Sequence, residues 1–156
     1  VSDETPNALS PDAARDLAAV LDAIVPPRPD GLPGAGGLGL VAFIEARMAE
    51  HPDLRPAVLH GLAALDALAR ERSGGAFADV PAGERAALLN ELASREPAFL
   101  PGLIFQTYVG YYQDPRVLEA LGVEGRPPFP QGYEVEPFDP GLLEPVRGRD
   151  PLWRRP

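Results

Sequence analysis

Residues 105–115 read FQTYVGYYQDP and gather three of the chain's four tyrosines (Tyr108, Tyr111, Tyr112) within five positions. On a helix, Phe105, Tyr108 and Tyr112 fall at i, i+3 and i+7 and share a face, while Ile104, Tyr108 and Tyr111 form an overlapping one. Those faces together leave little of the circumference polar, and Gln106 and Gln113 also sit among them. A helix apolar nearly all round is buried on every side, so this segment belongs inside a bundle or beneath another protein. Asp114-Pro115 ends it and opens the next helix, with Pro at the first helical position, where a missing N–H costs nothing. Within the segment, Tyr108 is expected in the core, and Tyr111 or Tyr112 facing outward.

Helical punctuation continues in both directions. Ser10 reads as an N-cap ahead of Pro11; Leu17, Val20, Leu21 and Ile24 follow at helical spacing until Pro26-Pro27. A second helix is expected from about Leu38 to Glu50, with Leu40, Val41, Phe43, Ile44 and Met48 on a broad apolar face. A third, from about Leu54 to Arg72, carries Leu54, Val58, Leu62, Leu65 and Ala69 in one stripe and closes at Gly74-Gly75. The fourth starts near Pro81, with Glu84 three residues on but no capping hydroxyl; Leu88, Leu89 and Leu92 form its buried side. The fifth runs from about Ala98 to Tyr112, and a short sixth (Val117, Leu118, Leu121) stops at Gly122. No segment alternates with period two, so the fold class is all-α: a compact bundle of five to six helices.

After Gly122 the chain changes character. Residues 123–156 hold eight Pro and four Gly with isolated Phe129, Tyr133, Phe138 and Trp153. Proline at that density opposes helix and central strand alike and favours extended segments. A free linker would lack aromatics. The expected organisation is therefore a helical domain over 1–122 and an extended arm over 123–156, lying on the domain or on a partner.

Composition excludes several function classes. The 156 residues carry a net charge of −9, and residues 1–122 hold 17 acids against nine Arg. Such a balance repels phosphate backbones and anionic lipid, so nucleic acid is not an expected partner. No apolar run approaches the roughly 18 residues of a spanning helix, so direct membrane insertion is not expected. Cysteine is absent, which removes disulfides and thiolate chemistry. The stretch VSDETPNALSPDAARD has neither a basic nor an apolar leader region, and no signal peptide is visible in it.

Catalytic and cofactor motifs are weak. Gly34-Ala35-Gly36-Gly37-Leu38-Gly39 matches G-x-G-x-x-G, but that fingerprint needs a strand just before it. PPRPDGLPGAGG cannot supply one, and a flexible lead-in to the second helix is the better reading. His51 and His60 are the only histidines; a metal site would need further ligands, so they read as surface or cap residues. No serine sits in a nucleophile elbow. Glu91 with Glu96, and Asp12 with Asp16, are expected on solvated helix faces. No catalytic, cofactor-binding or metal-binding residue is therefore nominated.

The order LDAIVPPRPDGLPGAG, VAFIEARM, GLAALDALARERSGGAFADVPAGERAALLNEL and FQTYVGYYQDPRVLEALGVEGRPPFPQGY resembles the gluconate 2-dehydrogenase subunit 3 family. These are small subunits of bacterial FAD-dependent sugar and alcohol dehydrogenases. The resemblance covers about residues 13–133 and is carried by Gly61-Leu62-Ala63-Ala64-Leu65-Asp66, by Phe77, by Gly110-Tyr111-Tyr112-x-Asp114-Pro115, and by Leu121-Gly122 and Gly132-Tyr133. It implies a non-catalytic subunit that binds a large flavoprotein of the glucose–methanol–choline type, helps it mature and supports its export. FAD is expected in that partner and no cofactor in this chain; a cytochrome c subunit is a further implied partner. The implied location is periplasmic or otherwise extracytoplasmic, or cytoplasmic for a chain that never carried a signal. Phe105, Tyr108, Tyr111, Tyr112, Arg126, Phe129 and Tyr133 are the expected contact residues. The competing expectation is a self-standing small-molecule binding module, marked by a closed pocket lined by Tyr108, Tyr111 and Tyr112.

Overall fold

The extended backbone of Ser10 lets its hydroxyl accept the Ala13 N–H at 3.2 Å, and Pro11 begins α1 (Pro11–Ile24) one residue later. The structure is a computed structural model and describes residues 8–126, 132 and 134–149. Five further helices follow in the first unit: α2 (Leu40–Glu50), α3 (Leu54–Ser73), α4 (Ala82–Arg95), α5 (Phe99–Tyr111) and α6 (Pro115–Ala120). Short 3-10 turns at Gly36–Leu38 and Phe77–Asp79 connect them. Among the described residues there is no strand, and the fold is all-α.

α1 is the hub, packing against α2, α3, α4, α5 and both 3-10 turns. Leu17, Val20 and Leu21 are wholly buried there, with Ile44 and Met48 of α2, Val58 and Leu65 of α3, Leu92 of α4 and Leu103 of α5. The stripes read from periodicity in α1, α2, α3 and α4 are thus core-facing, with Ile24, Val41, Phe43, Leu54 and Leu88 half-buried at the core's margin, whereas Leu121 of the expected sixth helix is exposed.

Helix ends follow the expected chemistry. Gly74 caps α3 at φ 76°, a left-handed conformation that glycine adopts without strain. α4 has no side-chain cap, as its sequence foretold. Pro101 sits in the first turn of α5, where backbone N–H groups have no intrahelical partner.

The glycine-rich lead-in to α2 is not a loose hinge. A Cβ at Gly36 would lie 2.3 Å from the Ala18 carbonyl oxygen of α1, and one at Gly34 would lie 2.3 Å from Asp22 Oδ1. Asp22 Oδ1 accepts the Gly36 N–H at 2.8 Å. These glycines serve close packing of the turn onto α1, which corrects the expectation of a flexible lead-in.

Residues Val1–Arg126 and Pro127–Pro156 form two separate units. In the second, the described residues are not wholly extended. Asp139 accepts the Gly141 N–H at 2.8 Å and caps a 3-10 turn (Pro140–Leu143) that continues as a single helical turn (Glu144–Arg147). Asp139-Pro140 repeats the cap-then-proline device of Asp114-Pro115, a signal that proline density had masked.

Two stability predictions follow from these contacts. A methyl group at Gly61 of α3 would lie 2.0 Å from a Phe99 ring carbon of α5. Gly61→Ala should therefore displace the ring and lower stability by about 1–3 kcal/mol, seen as a lower urea midpoint at unchanged m-value. Asp114 caps α6 through the Arg116 N–H at 2.9 Å, and Asp114→Ala should cost about 1 kcal/mol. The Arg116 side chain, hydrogen-bonded to Asp114, holds that carboxyl below its ordinary range. This contribution is present above the unfolded-state value and is lost as pH falls through the lower folded value. The stability gap between wild type and Asp114→Ala should accordingly narrow on acidification.

Candidate partner interface

α5 is uncharged along its whole length: residues 97–113 contain no Asp, Glu, Arg, Lys or His. Its inner side is fixed by packing and by two polar tethers to other elements, from Gln106 and Tyr111. Phe99, Leu103, Thr107, Gly110 and Tyr111 are buried. Thr107 Oγ1 donates to the Leu103 carbonyl at 2.7 Å, which satisfies the hydroxyl within its own helix. Gln106 Oε1 accepts from Arg47 Nε of α2 at 3.1 Å. The Tyr111 hydroxyl donates to the Pro33 carbonyl at 2.8 Å, and burial pushes that phenol's pKa above its ordinary value.

The outer side carries the other aromatics. Phe105 is 64% exposed, Tyr108 45% and Tyr112 53%, whereas Tyr111 is 3% exposed. Tyr108 and Tyr112 stack one turn apart with ring centroids 6.2 Å apart. Tyr111 meets Tyr112 edge to face at 5.1 Å, so the outer phenols are braced by the buried one. Tyr112 faces outward as expected, but the expectation that Tyr108 lies in the core is overturned. Gly110 explains why. It sits in contact with Phe43, 2.8 Å from where its Cβ would be, so the 110-side of α5 turns inward. Tyr108 follows Phe105 and Tyr112 onto the opposite side. Gly110 therefore receives an aromatic ring of α2.

The result is an open aromatic face, and the exposure of Tyr108 and Tyr112 is not that of a closed cage. Just beyond it in the chain, Leu121 and Val123 are also exposed. Arg126 is partly buried, with Nε 2.5 Å from Glu124 Oε1. Phe129 and Tyr133, the remaining expected contact residues, lie outside the described residues.

Other candidate groups take ordinary places. His51 ends α2 beside Arg47, with its Nε2 2.6 Å from the guanidinium. His60 is exposed on α3, 3.1 Å from Glu96. Glu91 is shared between Arg72, at 2.8 Å, and Arg95 on a solvent face. The reading of Asp16 as a solvated residue is corrected: it is 5% exposed and accepts the Ala78 N–H at 2.8 Å. Its position four residues before Val20 put it beside the core stripe of α1, a signal that its charge obscured.

No described helix is long and apolar enough to cross a membrane. Residues 11–125 match the family Gluconate 2-dehydrogenase subunit 3. No curated protein and no solved structure gives a match. The matched span contains all six helices of the first unit, the Gly61–Asp66 segment and the whole exposed face of α5. The chain therefore belongs to the gluconate 2-dehydrogenase subunit 3 family.

Proposed function

We propose that this chain is a non-catalytic subunit that binds and stabilises the large FAD-carrying subunit of a flavin-dependent sugar or alcohol dehydrogenase. The single observation that carries this reading is an uncharged helix whose outward face is Phe105, Tyr108 and Tyr112. Interface centres are depleted in charge and enriched in aromatic residues, and aromatic anchors dominate binding energy. The family supplies the kind of assembly, a gluconate 2-dehydrogenase complex. FAD is assigned to the partner, and a cytochrome c subunit is a further member of the proposed complex. The proposed location is periplasmic, where such a pair would act after export, with this chain helping the large subunit to mature.

The test is capture of the large flavoprotein by a tagged copy of this chain in the native host, read by flavin fluorescence. Phe105→Glu combined with Tyr108→Glu should leave helical circular dichroism and the melting curve near wild type. Each anchor contributes about 2 kcal/mol to binding, so capture should fall by more than a hundredfold. Undiminished capture by the double variant would move the interface elsewhere. A soluble, fully flavin-loaded large subunit made in the absence of this chain would sink the stabilising role.

A further inference from the structure

Arginines border the aromatic face of α5, and each already holds a carboxylate two or three positions away in the chain. On α2, Arg47 donates through Nε to Gln106 of α5 at 3.1 Å and through Nη1 to Glu50, while its Nη2 lies 2.6 Å from His51 Nε2. Beyond the C-terminal end of α5, Arg116 grips Asp114 through Nε at 2.9 Å and Nη2 at 2.7 Å, and Nη2 also reaches the Leu38 carbonyl at 3.0 Å. The loop that Tyr111 holds through the Pro33 carbonyl carries Arg28, 2.5 Å from Asp30. Near exposed Val123, Arg126 pairs with Glu124 at 2.5 Å. With Glu119 of α6 included, this border holds four acids and three Arg of positions 1–122, whereas the rest of that span holds 13 and six. The cleft of about 520 Å³ between α1, α3 and the Phe77 turn, where Asp12, Asp16, Asp66 and Asp79 gather, has no α5 residue in its lining.

Resting on the proposed binding of a large flavin-carrying subunit, we infer that the patch of that subunit seated on Phe105, Tyr108 and Tyr112 is apolar and uncharged, and that no ion pair crosses the contact. A guanidinium that already grips its own carboxylate has fewer donors left for a second one. Two opposite charges in contact also project a weaker field than either alone. Charges that face a partner steer its approach and make association depend on salt. Here the bordering charges are engaged within the chain, so affinity comes from apolar burial and from phenol tips that are polar without being charged. The acid excess lies elsewhere on the body, and exposed charges more than about 10 Å apart are already largely screened at 0.1 M salt.

The experiment uses the complex captured from the native host by the tagged chain, with the dissociation constant read by flavin fluorescence at low and high NaCl. Between about 0.1 M and about 1 M the screening length falls from about 10 Å to about 3 Å, and the constant should stay within about threefold. Phe105→Lys and Phe105→Glu should each weaken binding by about tenfold or more, and to within about threefold of one another, because an uncharged patch rejects either sign alike. Both should keep wild-type helical circular dichroism, since Phe105 is exposed. A change of about tenfold with salt, or one charge tolerated where the other is not, overturns the uncharged patch and leaves the proposed subunit binding standing. A capture that returns no flavin, or only further copies of this chain, overturns both. Should the variants fail to fold, the salt series on the wild-type complex decides alone.

Discussion

Two aromatic rings seated on glycines hold α5 in place, and the arrangement of the bundle depends on them. Phe99, at the start of α5, lies where a side chain on Gly61 of α3 would be. Gly110, near its end, receives Phe43 of α2 in the same manner. The two contacts run in opposite senses, ring to α3 at one end and ring from α2 at the other, and so set the rotation of the helix as well as its distance. Interiors packed at crystal-like density tolerate little change at such points. Rotation is what matters here. An apolar helix with a weak periodic bias could sit several ways, and the glycines choose one: Tyr111 inward against Pro33, Tyr108 and Tyr112 outward.

That dependence explains what was legible in the sequence. α1 and α3 have a clear inner and outer side, so periodicity identified Leu17, Val20, Leu21, Val58, Leu62 and Leu65 as core. Caps and prolines placed the ends of α1 and α6 because their chemistry is local: Ser10 and Asp114 each satisfy an N–H within three residues. α5 offered no such bias. Its apolar residues surround it, so the inward side is set by contacts with residues 43 and 61, far away in the chain. Tyr108 was misplaced for that reason. Asp16 was misplaced for a different one: its charge obscured its place beside the core stripe of α1, and its partner Ala78 lies about sixty positions away in the chain.

Charge is distributed so that most acids need no burial. Asp79, Glu91 and Asp114 sit at or near the surface with arginine partners, and exposed pairs of this kind contribute little to stability. The cleft between α1 and α3 is the exception, because there a carboxylate replaces a core side chain. Its Ala78 contact fixes the turn that carries Phe77, which is wholly buried. The polar contact and the aromatic anchor thus act on the same three-residue turn, one from α1 and the other through the core.

The same acidity bears on the open aromatic face. Single exposed apolar side chains are common on protein surfaces, but three aromatics on one face of an uncharged helix form a patch, which the proposed function reads as an interaction site. Such a patch could be covered by a second copy of the chain. Residues 1–122 carry 17 acids against nine Arg, and pairing two copies would bring two bodies of like charge together. Like-charge repulsion keeps proteins apart in solution, and juxtaposed like charges act against the wrong partner. On the proposed reading, the aromatic face gives affinity and the acidic body gives selectivity. A partner that is neutral or basic around its own apolar contact would satisfy both, whereas a second copy would satisfy only the first.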